Sequence, residues 1–125
     1  MEKFEITYDR DNHVIMVKPF QSWGKEEVET AVPIIKNLIG KNECRRVLAN
    51  LTENQQGFVT REARRTLKQY ADDLRFDKAA IVGTNPATRM VMKIAVSLLG
   101  NSHNTRFFKT KEEALEWLKQ NEKSR

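Results

Sequence analysis

Cysteine is almost missing from this sequence. Cys44 stands alone, so no internal disulfide can form. With no histidine near it in sequence, it reads as a structural residue rather than a nucleophile. Histidine is scarce as well. His13 and His103 lie far apart, with no carboxylate or Cys at ligand spacing, and no zinc motif results. Long apolar runs are absent: nothing approaches the roughly 18 residues a membrane span needs. The opening "MEKFEITYDR" has no apolar core of a signal peptide. The expectation is a cytoplasmic, non-transmembrane protein, in which the sequon Asn50-Leu51-Thr52 stays unglycosylated. Neither G-x-S-x-G, a Walker loop nor G-x-G-x-x-G occurs, and "VGTNP" has a single glycine. Asp72 and Asp73 are neighbours on a helix, so their side chains diverge and cannot work as an acid–base pair. An enzyme is therefore not expected, and no catalytic residue, metal or cofactor is assigned. Charge of one sign is not concentrated either. Lys and Arg number 22 against 17 Asp and Glu, a net +5 without long like-charged runs. That balance admits an acidic partner but gives no nucleic-acid stripe.

What is present is ample for one core. The 125 residues, 39% hydrophobic and 31% charged, fit a single globular domain over 1–125. "KFEITY" alternates Phe4, Ile6 and Tyr8 on one face, and "HVIMVKPF" follows a polar turn, so the two predict an antiparallel hairpin. "GKEEVETAVPIIKNLIG" spaces Val28, Ala31, Val32, Ile35, Leu38 and Ile39 as a helix, with Gly40 as its stop. Pro33 inside it predicts a kink or a late start. "RRVLANL" and "KAAIVGT" read as buried strands. Between them a helix opens at Thr60, an N-cap candidate, with Ala63, Leu67, Tyr70, Ala71 and Leu74 as its apolar stripe. "NPATRMVMKIAVSLLGN" has Asn85 as N-cap, Pro86 at the first helical position and Gly100 past the end. "TRFFKT" is a last strand, and "TKEEALEWLKQ" opens with a Thr110–Glu113 capping box. Strands alternating with helices predict an α/β fold: a four- to five-stranded mixed sheet, its first strand antiparallel, followed by βα repeats, with four helices.

Two segments, "FDKAAIVGTNPATRMVMKIAVSLLG" and "TRFFKTKEEALEWLK", together with "VPIIKNLI", resemble the SpoIIAA-like group, also called the STAS/Sec14-like domain. The resemblance spans nearly the whole chain through element order and apolar patterning. It implies the SpoIIAA-like fold and binding without catalysis. Its best-known members are bacterial anti-sigma-factor antagonists, regulated by phosphorylation of a serine. Their pattern is Asp, an apolar residue and Ser or Thr, then, after a gap, two apolar residues and Asp-Ser-Ser/Thr-Gly. The first part stands here as Asn50-Leu51-Thr52 and the second as Phe58-Val59-Thr60-Arg61. Thr60 replaces the Asp and Arg61 replaces the acceptor Ser, so the resemblance comes without its phosphoserine. Other branches of the fold are thought to bind small molecules or lipids.

In an alternating sheet the carboxyl ends of the parallel strands share one side with the helix N-termini, whose unpaired N–H groups suit an anion. Loops 51–60 and 83–86 lead there and carry Thr52, Asn54, Thr60, Thr84 and Asn85. Arg61, Arg64 and Arg65 crowd the start of one helix and Arg89 the start of the next, where cations oppose the helix dipole. These residues are the candidate binding set, for a protein partner or for a small anionic or lipid ligand. The alternative is solvated arginines paired with Glu62, Asp72 or other acids. The helix after Asn85 is apolar almost all round. Ala87, Met90, Val91, Ile94 and Leu98 make one face, and Met92, Ala95, Val96 and Leu99 extend it. Met92, Val96 and Leu99 are the candidate interface, toward a neighbouring helix, a second subunit in a homodimer, or a lipid tail.

Overall fold

The computed structural model describes residues 3–54 and 59–120. The chain runs β1 (Phe4–Asp9), β2 (Val14–Pro19), α1 (Lys25–Asn42), β3 (Arg46–Asn50), α2 (Arg61–Gln69), β4 (Lys78–Val82), α3 (Pro86–Leu98), β5 (Thr105–Phe108) and α4 (Lys111–Lys119), with one 3₁₀ turn over Ser102–Asn104. The strands lie side by side in chain order. β1 is antiparallel to β2, Phe4 opposite Pro19 and Asp9 opposite Val14. β2, β3, β4 and β5 then run parallel. The hairpin turn closes on Asp9, whose carboxylate accepts the Asn12 backbone N–H at 3.1 Å and its side-chain amide at 2.8 Å. The expected α/β architecture is present.

Strand alternation sorts the core into two layers. Ile15, Val17, Val47, Ala79 and Ile81 face α1, α2 and α3, which contribute Val28, Val32, Ile35, Ala63, Leu67, Met92, Ala95 and Val96. Val14, Leu48, Ala80 and Val82 face the other way, onto Ala114 and Leu118 of α4. β4 is buried along its whole length, as expected for a parallel strand covered on both sides. Its first residue, Lys78, is buried and donates to the carbonyls of Trp117 at 2.8 Å and Gln120 at 2.9 Å. The Trp117 carbonyl also accepts the Gln120 N–H at 3.2 Å, so the ammonium adds a second donor to the carbonyls at the end of α4. Beneath α1–α3 the packing leaves an apolar cavity of about 110 Å³, lined by Val32, Leu67, Phe76, Met92 and Leu99 among others.

Three expectations need correction. Gly40 does not stop α1, which continues to Asn42 and ends with Glu43 in the left-handed region, φ 49°. Glycine permits a helix end without imposing one, and the Asn42 side chain bonding back to the Leu38 carbonyl at 3.0 Å supports the extra turn. Of the two outcomes expected for Pro33, a kink or a late start, the late start does not occur, since α1 begins at Lys25. The proline sits on the exposed side with Glu29, so the carbonyl that its missing N–H would have bonded is open to water. The third correction concerns α3. Met92 and Val96 are 6% and 9% exposed and belong to the core, and Leu99 packs against it. The face turned to solvent carries Met90 and Ile94, 66% and 44% exposed. Thr88 at the third helical position is buried, which fixes this rotation of the helix.

Candidate functional site

The carboxyl ends of β2, β3 and β4 lie together, and their connections to α1, α2 and α3 are bonded to one another. The Thr60 N–H donates to the Trp23 carbonyl at 3.0 Å, and the Leu51 N–H to the Val82 carbonyl at 2.8 Å. Val59 and Trp23 form an isolated parallel bridge. Gly83 lies against Thr52 so closely that a Cβ on it would stand 2.7 Å from the Thr52 backbone nitrogen. The described parts of these three connections thus lie side by side.

Each helix that starts there is capped by its own side chains. Thr60 Oγ1 accepts the Ala63 N–H at 3.1 Å, and Asn85 Oδ1 accepts the Thr88 N–H at 2.8 Å. At α1 the reciprocal half of a capping box appears, the Gly24 N–H donating to Glu27 Oε1 at 2.7 Å. Lys3 also donates to Glu27, at 2.8 Å. The Lys3 ammonium and then the Gly24 N–H hold the Glu27 carboxyl below its usual range, and the Lys3 amine is raised in return. Capping engages Thr60 and Asn85 with their own helices. Asn54 is 4% exposed, its N–H donating to the Leu51 carbonyl at 3.0 Å. It is buried in the turn that follows β3. Thr52 bonds the Asn50 side chain through both its N–H, at 3.0 Å, and its hydroxyl, at 2.6 Å.

The arginines divide. Arg64 turns back and donates to the Val59 carbonyl at 2.9 Å, ahead of α2. Arg61 and Arg65 are exposed. Arg89 lies over the Phe107 ring, 5.3 Å from its centroid, with its Nε 3.5 Å from Thr84 Oγ1. Among the described residues none of these four pairs with a carboxylate. Asp72, an expected partner, pairs with Arg75 instead. Thr84, Asn85 and Arg89 line one surface hollow of about 370 Å³ with Pro86, Met90 and Lys93. Arg61 and Arg65 do not line it, so the nine candidates form two neighbouring groups rather than one pocket. Phe58 lies outside the described residues.

Sequence reasoning left Met90, Lys93 and Ile94 out of the candidate set, and the structure exposes all three. A signal existed: Ser97 sits seven positions after Met90, on the same side of a helix, and a polar residue there marks the wet face. Among the described residues no group of three His, Cys, Asp or Glu could hold a metal. No helix there is long and apolar enough to cross a membrane.

A family model described as SpoIIAA-like matches residues 14–119. The chain belongs to the SpoIIAA-like family. Solved structures with the same fold include an uncharacterised SpoIIAA-like protein from Shewanella loihica, 19% identical, TM-score 0.64, covering 92% of this chain and 91% of that one. The unphosphorylated anti-sigma factor antagonist SpoIIAA is 14% identical, TM-score 0.64, covering 92% and 95%. A putative anti-sigma factor antagonist from Thermotoga maritima is 14% identical, TM-score 0.62, covering 94% and 95%. Identities this low carry the fold and no more. None of the curated proteins compared with the chain matches it.

Proposed function

We propose that this SpoIIAA-like domain is a non-catalytic regulatory module. It binds a protein partner through the loop end that carries Arg61 and Arg65, without a phosphoserine switch. The observation that carries this reading is the unpaired arginines. Two exposed guanidinium groups occupy the first turns of α2 without a carboxylate partner among the described residues. At Arg61, the first residue of α2, a cation opposes the helix dipole by roughly 0.3–1 kcal/mol, an effect that fades beyond the first turn. An acidic surface docked there would offset that cost, and arginine suits such contacts through its planar fork of donors. Family membership supports the class of behaviour, since relatives sharing the fold are named anti-sigma factor antagonists. Arg61 as the first residue of α2 supports the missing switch, because the position aligned with the acceptor has no hydroxyl.

The test is capture of partners from lysate by wild type and by the double variant Arg61→Glu, Arg65→Glu. A partner retained by wild type and lost by the variant supports the reading. A partner indifferent to both charges contradicts it.

A second reading has one observation in its favour, the apolar cavity of about 110 Å³ under α3. In size it resembles engineered cavities of about 150 Å³ that stay dry and take a benzene-sized molecule. A small apolar ligand fits that space as it stands, whereas a lipid tail would need α3 to move. Native mass spectrometry of the purified protein separates the two readings, since a retained small adduct would favour the ligand.

A further inference from the structure

We propose that the outward face of α3 is a second docking surface, fitted to an amphipathic helix of a protein partner that carries acids along one flank. The proposal rests on the reading of the domain as a protein-interaction module, but not on Arg61 or Arg65.

Of the large hydrophobic side chains exposed among the described residues, Ile34, Met90 and Ile94, two lie one helical turn apart on α3. With exposed Ala87 and half-buried Leu98 they form a ridge along the helix. The spacing of three, four and four residues is that of a helix–helix seam. Beside this ridge runs a second one made of Arg89 and Lys93, again one turn apart. α3 has no Asp or Glu anywhere in "PATRMVMKIAVSL". Arg89 also borders a hollow along the β5 edge with Glu113 and Glu116. Neither acid pairs with it among the described residues. An apolar ridge with a cationic ridge alongside selects its complement: apolar anchors at helical spacing with carboxylates on the matching flank.

The same geometry argues against a second copy of this chain. Packed antiparallel about a two-fold axis, α3 would set Arg89 and Lys93 against their own counterparts. Packed parallel, it would align two helix dipoles of the same sense. A bilayer is also poorly served. Membrane-binding basic clusters gather about four to eight cations, and this ridge has two, beside two large exposed apolar side chains.

The test uses a synthetic amphipathic peptide of roughly 18 residues, with Leu at seam spacing and Glu along one flank, and a twin with Lys for Glu. Binding to the full chain is read by fluorescence anisotropy at low and high salt. The Glu peptide should bind at least about tenfold tighter than its twin, with the preference shrinking in high salt. Lys93→Glu should reverse that preference, and Met90→Glu should weaken both peptides. Both positions are exposed, and an unchanged thermal transition confirms that each variant folds. Equal binding of the twins, or no binding of either, overturns the proposal. So does a dimer in light scattering that Met90→Glu dissociates, which would make the occupant a second copy. Sedimentation with anionic vesicles that Met90→Glu abolishes would assign the face to a membrane and overturn it too. If Arg61→Glu, Arg65→Glu abolishes partner capture while the α3 variants change nothing, the proposed function stands and this surface falls.

Discussion

Gly83 shows how one residue fixes the site. Its φ of +84° is a conformation that L side chains rarely adopt, and a Cβ there would stand 2.6 Å from Thr52 Oγ1 and 2.7 Å from the Thr52 nitrogen. A hydroxyl can rotate away, but the backbone nitrogen cannot. Gly83→Ala therefore combines left-handed strain with a collision between the two loops, and we expect a loss of about 2–4 kcal/mol. A shifted urea midpoint with an unchanged slope would register it. An unaffected midpoint would mean the loops are not locked together. Glu27 gives a prediction in pH. Lys3 and the Gly24 N–H lower its carboxyl from 4.5. A carboxyl lower in the folded than in the unfolded chain stabilises the fold above its unfolded pKa and loses that contribution as pH falls through its folded value. Wild type should thus exceed Glu27→Gln in stability at neutral pH, with the gap closing as pH drops below about 4.5. Urea titrations at neutral and acid pH compare the two, and a gap that persists in acid would refute the charge-based account. Lys3 has the opposite sign: raised from 10.5, it contributes below that value and fades only in strong alkali.

Helix ends and helix faces were not equally legible. Caps were readable because they depend on local chemistry. Thr60, Asn85 and Thr110 each cap the helix that their sequence context announces. Thr60→Ala should cost about 1 kcal/mol, while Thr60→Asp should match or exceed wild type, because it keeps the acceptor and adds charge in the sense the dipole favours. Thermal melts of the two variants decide this, and equal losses in both would deny Thr60 its role as a cap. Which side of α3 faces inward was not readable by counting apolar residues, since nearly every side qualifies. Tertiary packing decided it: Thr88 points inward, Met90 outward. The same limit applies to Gly40, whose sequence permits a stop that the helix passes over. Asn54 reads as a polar loop residue, yet it is buried, and burial of a loop residue is set by tertiary packing that no periodicity records. The arginine excess at α2 was legible as an electrostatic mismatch. Which arginine is used internally was not, since only the fold brings the Val59 carbonyl within reach of Arg64.

Across the whole molecule, coverage of the sheet is uneven. Three helices press on one face and α4 alone on the other, and the cavity lies under the heavier layer, where the inward side of α3 meets the sheet. Ala95 lines that cavity and is buried. Small-to-large substitutions in a filled core cost about 1–3 kcal/mol, so the cavity determines the sign of Ala95→Leu. If about 110 Å³ is empty, three added carbons fit and the variant should gain about 1 kcal/mol, visible as a higher thermal midpoint. A loss of stability would mean that the space is not available to a side chain. The variant also bears on function at this scale. A partner docking on Arg61 and Arg65 touches only the surface, so capture should survive the filled cavity unchanged. A small apolar ligand would be displaced, and its mass would vanish from the native spectrum. Filling the core therefore separates a surface that recognises another protein from an interior that holds a ligand, without altering a charge on either.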